Sequence, residues 1–245
     1  MVPGMSEFKE ALESALSSLE TLRCESDNPP RASRAALARL QAAVPAPNES
    51  RQDDNSRRLA SIAQRVAICR LCPHLASSRT QTVFGVGNSN AELMFIGEAP
   101  GADEDREGEP FVGRAGQLLN SMLKAIGLQR EQVFIANILK SRPPNNRDPK
   151  PEEVQACIPY LFRQIELVNP KLILCVGRIA AQTLLETDTP IGKLRGQLHR
   201  IAGNRPMVVT YHPAYLLRSP GEKRKSWADL LLALRTFEQA TGAAT

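Results

Sequence analysis

Short apolar runs alternate along the chain with stretches in which apolar residues return every third or fourth position, the signature of buried strands followed by amphipathic helices. Residues 93–96, 133–139, 171–176 and 207–211 form the four runs, each bounded by glycine, proline or polar residues. Helical spacing follows them: Leu118, Leu119, Met122, Leu123 and Ile126 after the first, a stretch opened by Pro151-Glu152-Glu153 after the second, and residues 178–186 after the third. The last helix spans 225–240 and is expected to bury Trp227, Leu230, Leu231, Leu234 and Phe237. Residues 190–205 read as a basic loop or hairpin. Strands that are apolar throughout and separated by helices predict an α/β fold, with a four-stranded, mostly parallel sheet covered on both faces.

The N-terminal part lacks this alternation. Residues 6–24 predict a short amphipathic helix through Phe8, Leu12, Leu16 and Leu19, with Ser6 as its N-cap. A stretch rich in proline, serine, asparagine and aspartate follows, with a weak helical pattern at 35–43, and reads as a linker. The division expected is a flexible extension over 1–56 and one folded domain over 57–245, whose helical pattern starts at 57–68. The extension is either a docking helix for an unidentified protein or dispensable. With 42% hydrophobic residues in 245, the chain can bury one sizeable core.

Charge changes the picture only when it is placed. The net charge is +5, but residues 61–245 hold 23 basic against 17 acidic side chains, so the domain itself is basic and suits an anionic partner. No apolar run reaches the roughly 20 residues of a membrane span, and no signal-peptide core is present at the N-terminus, which predicts a soluble, cytoplasmic protein without a membrane partner. Five cysteines, an odd number, argue against a disulfide framework. Cys69 and Cys72 form a C-x2-C pair that fits zinc, iron–sulfur or redox chemistry, with Cys157 and Cys175 far downstream.

Three of the four strands end in a polar side chain: Glu98, Asn137 and His212. In a parallel sheet these ends lie along one edge, where open α/β sheets bind ligands. A glycine- and carboxylate-rich loop leaves the first strand, carries Glu98, Asp103, Glu104 and Asp105, then Phe111, and closes on Gly113-Arg114-Ala115-Gly116. Singly, each residue has an ordinary explanation, such as a solvated loop acid or a strand-end histidine; three together favour a site for nucleotide or phosphate chemistry. No G-x-G-x-x-G follows the first strand, which speaks against a dinucleotide-binding protein.

GEAPG at 97–101, PFVGRAG at 110–116, NILKSRPPNNRDPKPEE at 137–153 and HPAYLLR at 212–218 closely resemble the family 4 uracil-DNA glycosylases, over a span from about 67 to about 235. The resemblance implies a three-layer α/β/α sandwich, excision of uracil from single- and double-stranded DNA by a monomer, and a [4Fe–4S] cluster. It makes Glu98 and His212 the catalytic pair, Phe111 the stacking aromatic and Asn137 the uracil reader, with Ala99 and Glu104 beside the base. These roles suit the residue types: a carboxylate to activate water, an imidazole to donate to the departing uracil, and an amide for the Watson–Crick edge. Leu216, Leu217 and Arg218 are expected to wedge the duplex open and to contact phosphate.

The resemblance assigns the cluster to Cys69, Cys72, Cys157 and a third cysteine whose position holds Ser141 here. A hydroxyl ionises far less readily than a thiol and is a harder ligand, so the fourth corner is expected to be weak: Ser141 is its expected occupant, against water, Cys175, a three-iron cluster or loss of the cluster. Cys175 lies in the apolar run LILCVG, where a buried structural role is expected. Relatives that attach covalently to the abasic site use a histidine on a basic loop, and 141–157 contain none. The competing function is a non-catalytic iron–sulfur DNA-binding accessory protein of the same fold, although binding alone requires neither Glu98 nor His212.

Overall fold

The structure, a computed structural model, describes residues 49–201 and 203–241. The helices expected at 6–24 and 35–43 lie outside the described residues. The first helix described, α1 (Glu49–Ala67), starts inside the stretch read as linker, and its Asn55 and Ser56 side chains bond to Asn90 and Ser89. A short α2 (Pro73–Ser78) follows the C-x2-C pair.

The four expected strands are present as β2 (Leu93–Gly97), β3 (Phe134–Asn137), β4 (Leu172–Val176) and β6 (Arg205–Thr210), and all their mutual pairings are parallel. Two antiparallel edges complete the sheet: β1 (Val86–Gly87) on β3, and β5 (Leu198–Ile201), which pairs with β6 as a hairpin. The sheet therefore has six strands, in the order β1-β3-β2-β4-β6-β5.

Alternation along the strands divides the core. Met94, Ile96, Ile173 and Cys175 face one side, where they pack with Ile62 and Val66 of α1, Leu161 and Ile165 of α5 (Pro151–Val168), Ala180 and Leu184 of α6 (Arg178–Leu185) and Leu194 of the one-turn α7 (Ile191–Leu194). Leu93, Phe95, Leu174 and Val176 face the other, against Leu119 and Leu123 of α4 (Arg114–Ala125), Leu216 of α8 (Pro213–Arg218) and Leu230 and Ala233 of α9 (Lys223–Thr241). Period-two strands between two layers of helices make the three-layer sandwich. Among the described residues no helix is long and apolar enough to cross a membrane.

On α9 the buried side differs from the expected one. Trp227 is 42% exposed, and Ser226, Asp229, Leu230 and Ala233 turn inward. The polar pair belongs inside because Asp229 accepts from the Thr210 hydroxyl at 2.8 Å and from Arg195 at 2.7 and 3.0 Å, and Thr210 also bonds Ser226. A network of side-chain hydrogen bonds outweighs the hydrophobic spacing here.

Candidate active site

Gly97 and Asn137 stand opposite each other in the parallel register, and the backbone stays paired beyond the strands: Ile138 N–H donates to Gly97 O at 2.9 Å and Leu139 N–H to Glu98 O at 3.0 Å. Glu98 and Asn137 thus leave the sheet together, while β6, two strands away, delivers His212. All three line one cavity of about 410 Å³, with Ala99, Glu104, Phe111 and Arg218 also on its wall.

Burial pushes the Glu98 carboxyl up to about 7, the Asp148 carboxylate adds to the rise, and the Arg178 guanidinium opposes it. Asp148 and Arg178 are themselves paired at 2.8 Å. Among the described residues the Glu98 carboxylate has no protein hydrogen-bond donor, so its oxygens are free for water or substrate.

Asn137 is 2% exposed, and its Oδ1 has no partner among the described residues. A buried amide oxygen left unpaired is costly unless a ligand completes it. His212 is the N-cap of α8: its Nδ1 accepts the Ala214 N–H at 3.1 Å, which places the ring proton on Nε2. Burial, helped by Arg218, pulls its pKa down to about 4, so the ring is a neutral donor at physiological pH.

Phe111 stacks on His212 with centroids 5.6 Å apart and ring planes 29° apart. Its backbone is left-handed, with φ of +56°, a conformation uncommon outside glycine. Arg130 holds that turn by donating to the Pro110 and Phe111 carbonyls, and Gly116 permits it, because a side chain at 116 would collide with the Phe111 carbonyl. Gly97 is equally constrained: a Cβ there would lie 2.6 Å from the Phe111 ring.

Glu104 borders the cavity but is occupied. Its carboxylate accepts the N–H groups of Gly101, Val112 and Gly113 at 3.0, 3.0 and 3.2 Å, bracing a loop that winds into a short α3 (Ala102–Glu107). Its place is therefore on the cavity wall, where it braces the loop that presents Phe111. Leu216 also departs from expectation. It is 1% exposed, inside the core rather than at the surface, because a short helix starting at Pro213 turns positions 213 and 216 inward together. Leu217 is half-buried, and Arg218 is exposed at the rim.

Residues the sequence reading passed over complete the rim. Arg147 pairs with Glu153 at 2.5 Å and fixes the proline-rich loop, and Asp148, Asn146 and Tyr215 join the cavity wall. The signal was available in the NNRDPKPEE block, where one arginine sits close in sequence to three carboxylates; which of them it pairs with is decided by the fold.

Behind β3, Cys69, Cys72, Cys157 and Ser141 line a second, far smaller space of about 10 Å³. Burial pushes the Cys72 thiol up to about 11 and raises Cys157 as well, and nearby thiol and carboxylate charges add to both. Arg79 donates to Ser141 Oγ at 2.8 Å and to the Cys69 carbonyl at 2.6 Å. Cys175 is fully buried within β4 and does not line this space. Among the described residues, no three His, Cys, Asp or Glu side chains are grouped so as to hold a single metal ion.

The model of the uracil DNA glycosylase superfamily matches residues 84–232, a span that holds Glu98, Phe111, Asn137 and His212. The chain is 49% identical over 178 residues to a type-4 uracil-DNA glycosylase of Archaeoglobus fulgidus, covering 70% of this chain and 89% of that one. It is 44% identical over 159 residues to one of Thermotoga maritima (64% and 82% covered) and 49% identical over 167 residues to one of Saccharolobus solfataricus (65% and 77% covered). With its domain matched by the family model and by relatives at this identity, the chain belongs to the uracil DNA glycosylase superfamily, among the type-4 enzymes.

Proposed function

We infer that the protein removes uracil from DNA by hydrolysing the N-glycosidic bond, leaving an abasic site. The observation that supports this reading most directly is the buried, unpaired amide oxygen of Asn137 beside the stacked rings of Phe111 and His212. Such a pocket is complete only when a planar ring carrying amide-like edges enters it. In the reaction the sugar gains positive charge as uracil departs with negative charge. Ionised Glu98 places a negative charge and a proton acceptor at the sugar side, where it orients the attacking water. Neutral His212 donates from Nε2 to the departing base oxygen; a single well-aimed donor of this kind contributes about 10²- to 10³-fold. Ala99 borders the base, and Leu217 and Arg218 meet the DNA at the rim, Arg218 as a phosphate contact. The partner is DNA, single- or double-stranded, and the enzyme is read as a cytoplasmic monomer; a protein partner for residues 1–56 belongs to the same reading.

A [4Fe–4S] cluster is part of the proposal. The donors fit it at three corners: Cys69, Cys72 and Cys157 share one space. A cluster takes its thiolates on different iron atoms, so it does not require the close grouping of a single-ion site. Ser141 stands at the fourth corner. When bound, the cluster ties together three distant chain segments and adds negative charge between them. The test of function is single-turnover excision from a single-stranded oligonucleotide with one deoxyuridine, read by alkaline cleavage, against a thymine control. Cleavage with uracil alone is expected; none from iron-replete protein overturns the reading in favour of an accessory DNA-binding role.

A further inference from the structure

We propose that Lys140 is a positioning residue through which the cysteine site sets the amide of Asn137, an inference that rests on the uracil reading above. Lys140 is 2% exposed, and its ammonium donates to the Asn137 carbonyl at 2.8 Å and to Gln164 Oε1 at 2.6 Å. Both acceptors are neutral. The Lys140 backbone N–H also meets the sulfur of Cys157 on α5.

The connection is mechanical. Cys157 and Gln164 lie seven residues apart on α5, two turns on one face, so the helix that offers a sulfur to the cysteine site grips Lys140 at its backbone and at its ammonium. Gln164 in turn donates to the Phe84 carbonyl at 2.9 Å, which fixes its own orientation. Asn137 and Ser141 are the two ends of one five-residue run, the first in the uracil cavity and the second at the cysteine site. Between them, Leu139 N–H holds the Glu98 carbonyl. A shift of α5 on loss of thiolate ligation passes through Gln164 and Lys140 to the Asn137 carbonyl, and so to the reading amide.

The test compares full-length wild type, Lys140→Met, Cys72→Ala and the double variant, purified without oxygen, for affinity toward free uracil by calorimetry, with iron content and single-turnover excision measured alongside. Lys140→Met is expected to weaken uracil binding by about 10- to 100-fold, the range for losing one hydrogen bond from a charged donor. Cys72→Ala should lose iron and weaken uracil binding comparably, and the double variant should be no worse than the poorer single one, because both act along one path. Wild-type uracil affinity in Lys140→Met, or losses that multiply in the double variant, overturns the proposal. If Lys140→Met fails to fold or to hold iron, Gln164→Leu, which keeps the lysine and removes its acceptor, takes its place with the same expectation. Excision by wild type alongside unaffected variants defeats the coupling alone; no excision by iron-replete wild type defeats the uracil reading beneath it.

Discussion

Glu98 and His212 carry opposite displacements from their ordinary values, and burial is the first cause of both. The excision rate per unit of free enzyme should therefore rise with pH through about 7 as Glu98 ionises, while His212 stays neutral throughout that range. Asp148→Asn removes a charge that raises Glu98, so the rising limb should move to lower pH; Arg178→Met should move it higher, and a pH–rate profile separates the two. Stability carries the matching sign. Glu98 binds its proton more tightly folded than unfolded, so its contribution is present below about 4.5 and is lost as pH rises through about 7. Glu98→Gln should raise the melting temperature at pH 8 and leave it unchanged at pH 4, and on the proposed role it should also abolish excision. Gly97→Ala is the complementary case: the added methyl meets the Phe111 ring and the Asn137 amide, so uracil affinity should fall by about tenfold or more, the scale of losing a close polar fit. Free-uracil calorimetry on the folded variant checks it.

At the scale of elements, α9 is pinned to β6 through a buried charge rather than through its apolar stripe alone. Asp229→Ala strands Arg195 and the Thr210 hydroxyl, and should cost about 3–5 kcal/mol, as breaking one side of a buried pair does. A shift in the urea midpoint at unchanged slope would show it. The same network explains where sequence patterning fell short. The central strands were legible because burial on both faces leaves a continuous apolar run, and the strand-end residues were legible because the parallel register fixes where such runs stop. Trp227 was misplaced because spacing cannot tell that Ser226 and Asp229 have partners waiting inside. The edges escaped for other reasons. β1 is two residues long, and β5 alternates around exposed Leu198, so neither carries enough apolar content to stand out. Leu216 was named from a motif, which preserves residue identity and says nothing of which way a short helix turns.

For the whole molecule, the cysteine site gathers α1's exit, α5 and the segment leaving β3, three stretches that are far apart in the chain. Ser141→Cys should supply the thiolate missing at the fourth corner, and iron and sulfide should then survive air exposure severalfold longer than in wild type. Visible absorbance followed after anaerobic purification gives the comparison; equal decay in both would show that the serine corner is not the weak point.

The sheet's two ends have a consequence for the protein's behaviour in a crowded cell. A row of free backbone donors and acceptors at a sheet margin invites another chain to add a strand, and long flat margins seed fibrils. Here one margin is a two-residue strand ending at Gly87, with Gly85 and Gly87 at φ of +139° and +124°. The other is a four-residue hairpin arm that presents His199 and Arg200. Neither gives an incoming chain a straight template, so copies concentrated along the same DNA can pass close to one another without growing into a shared sheet.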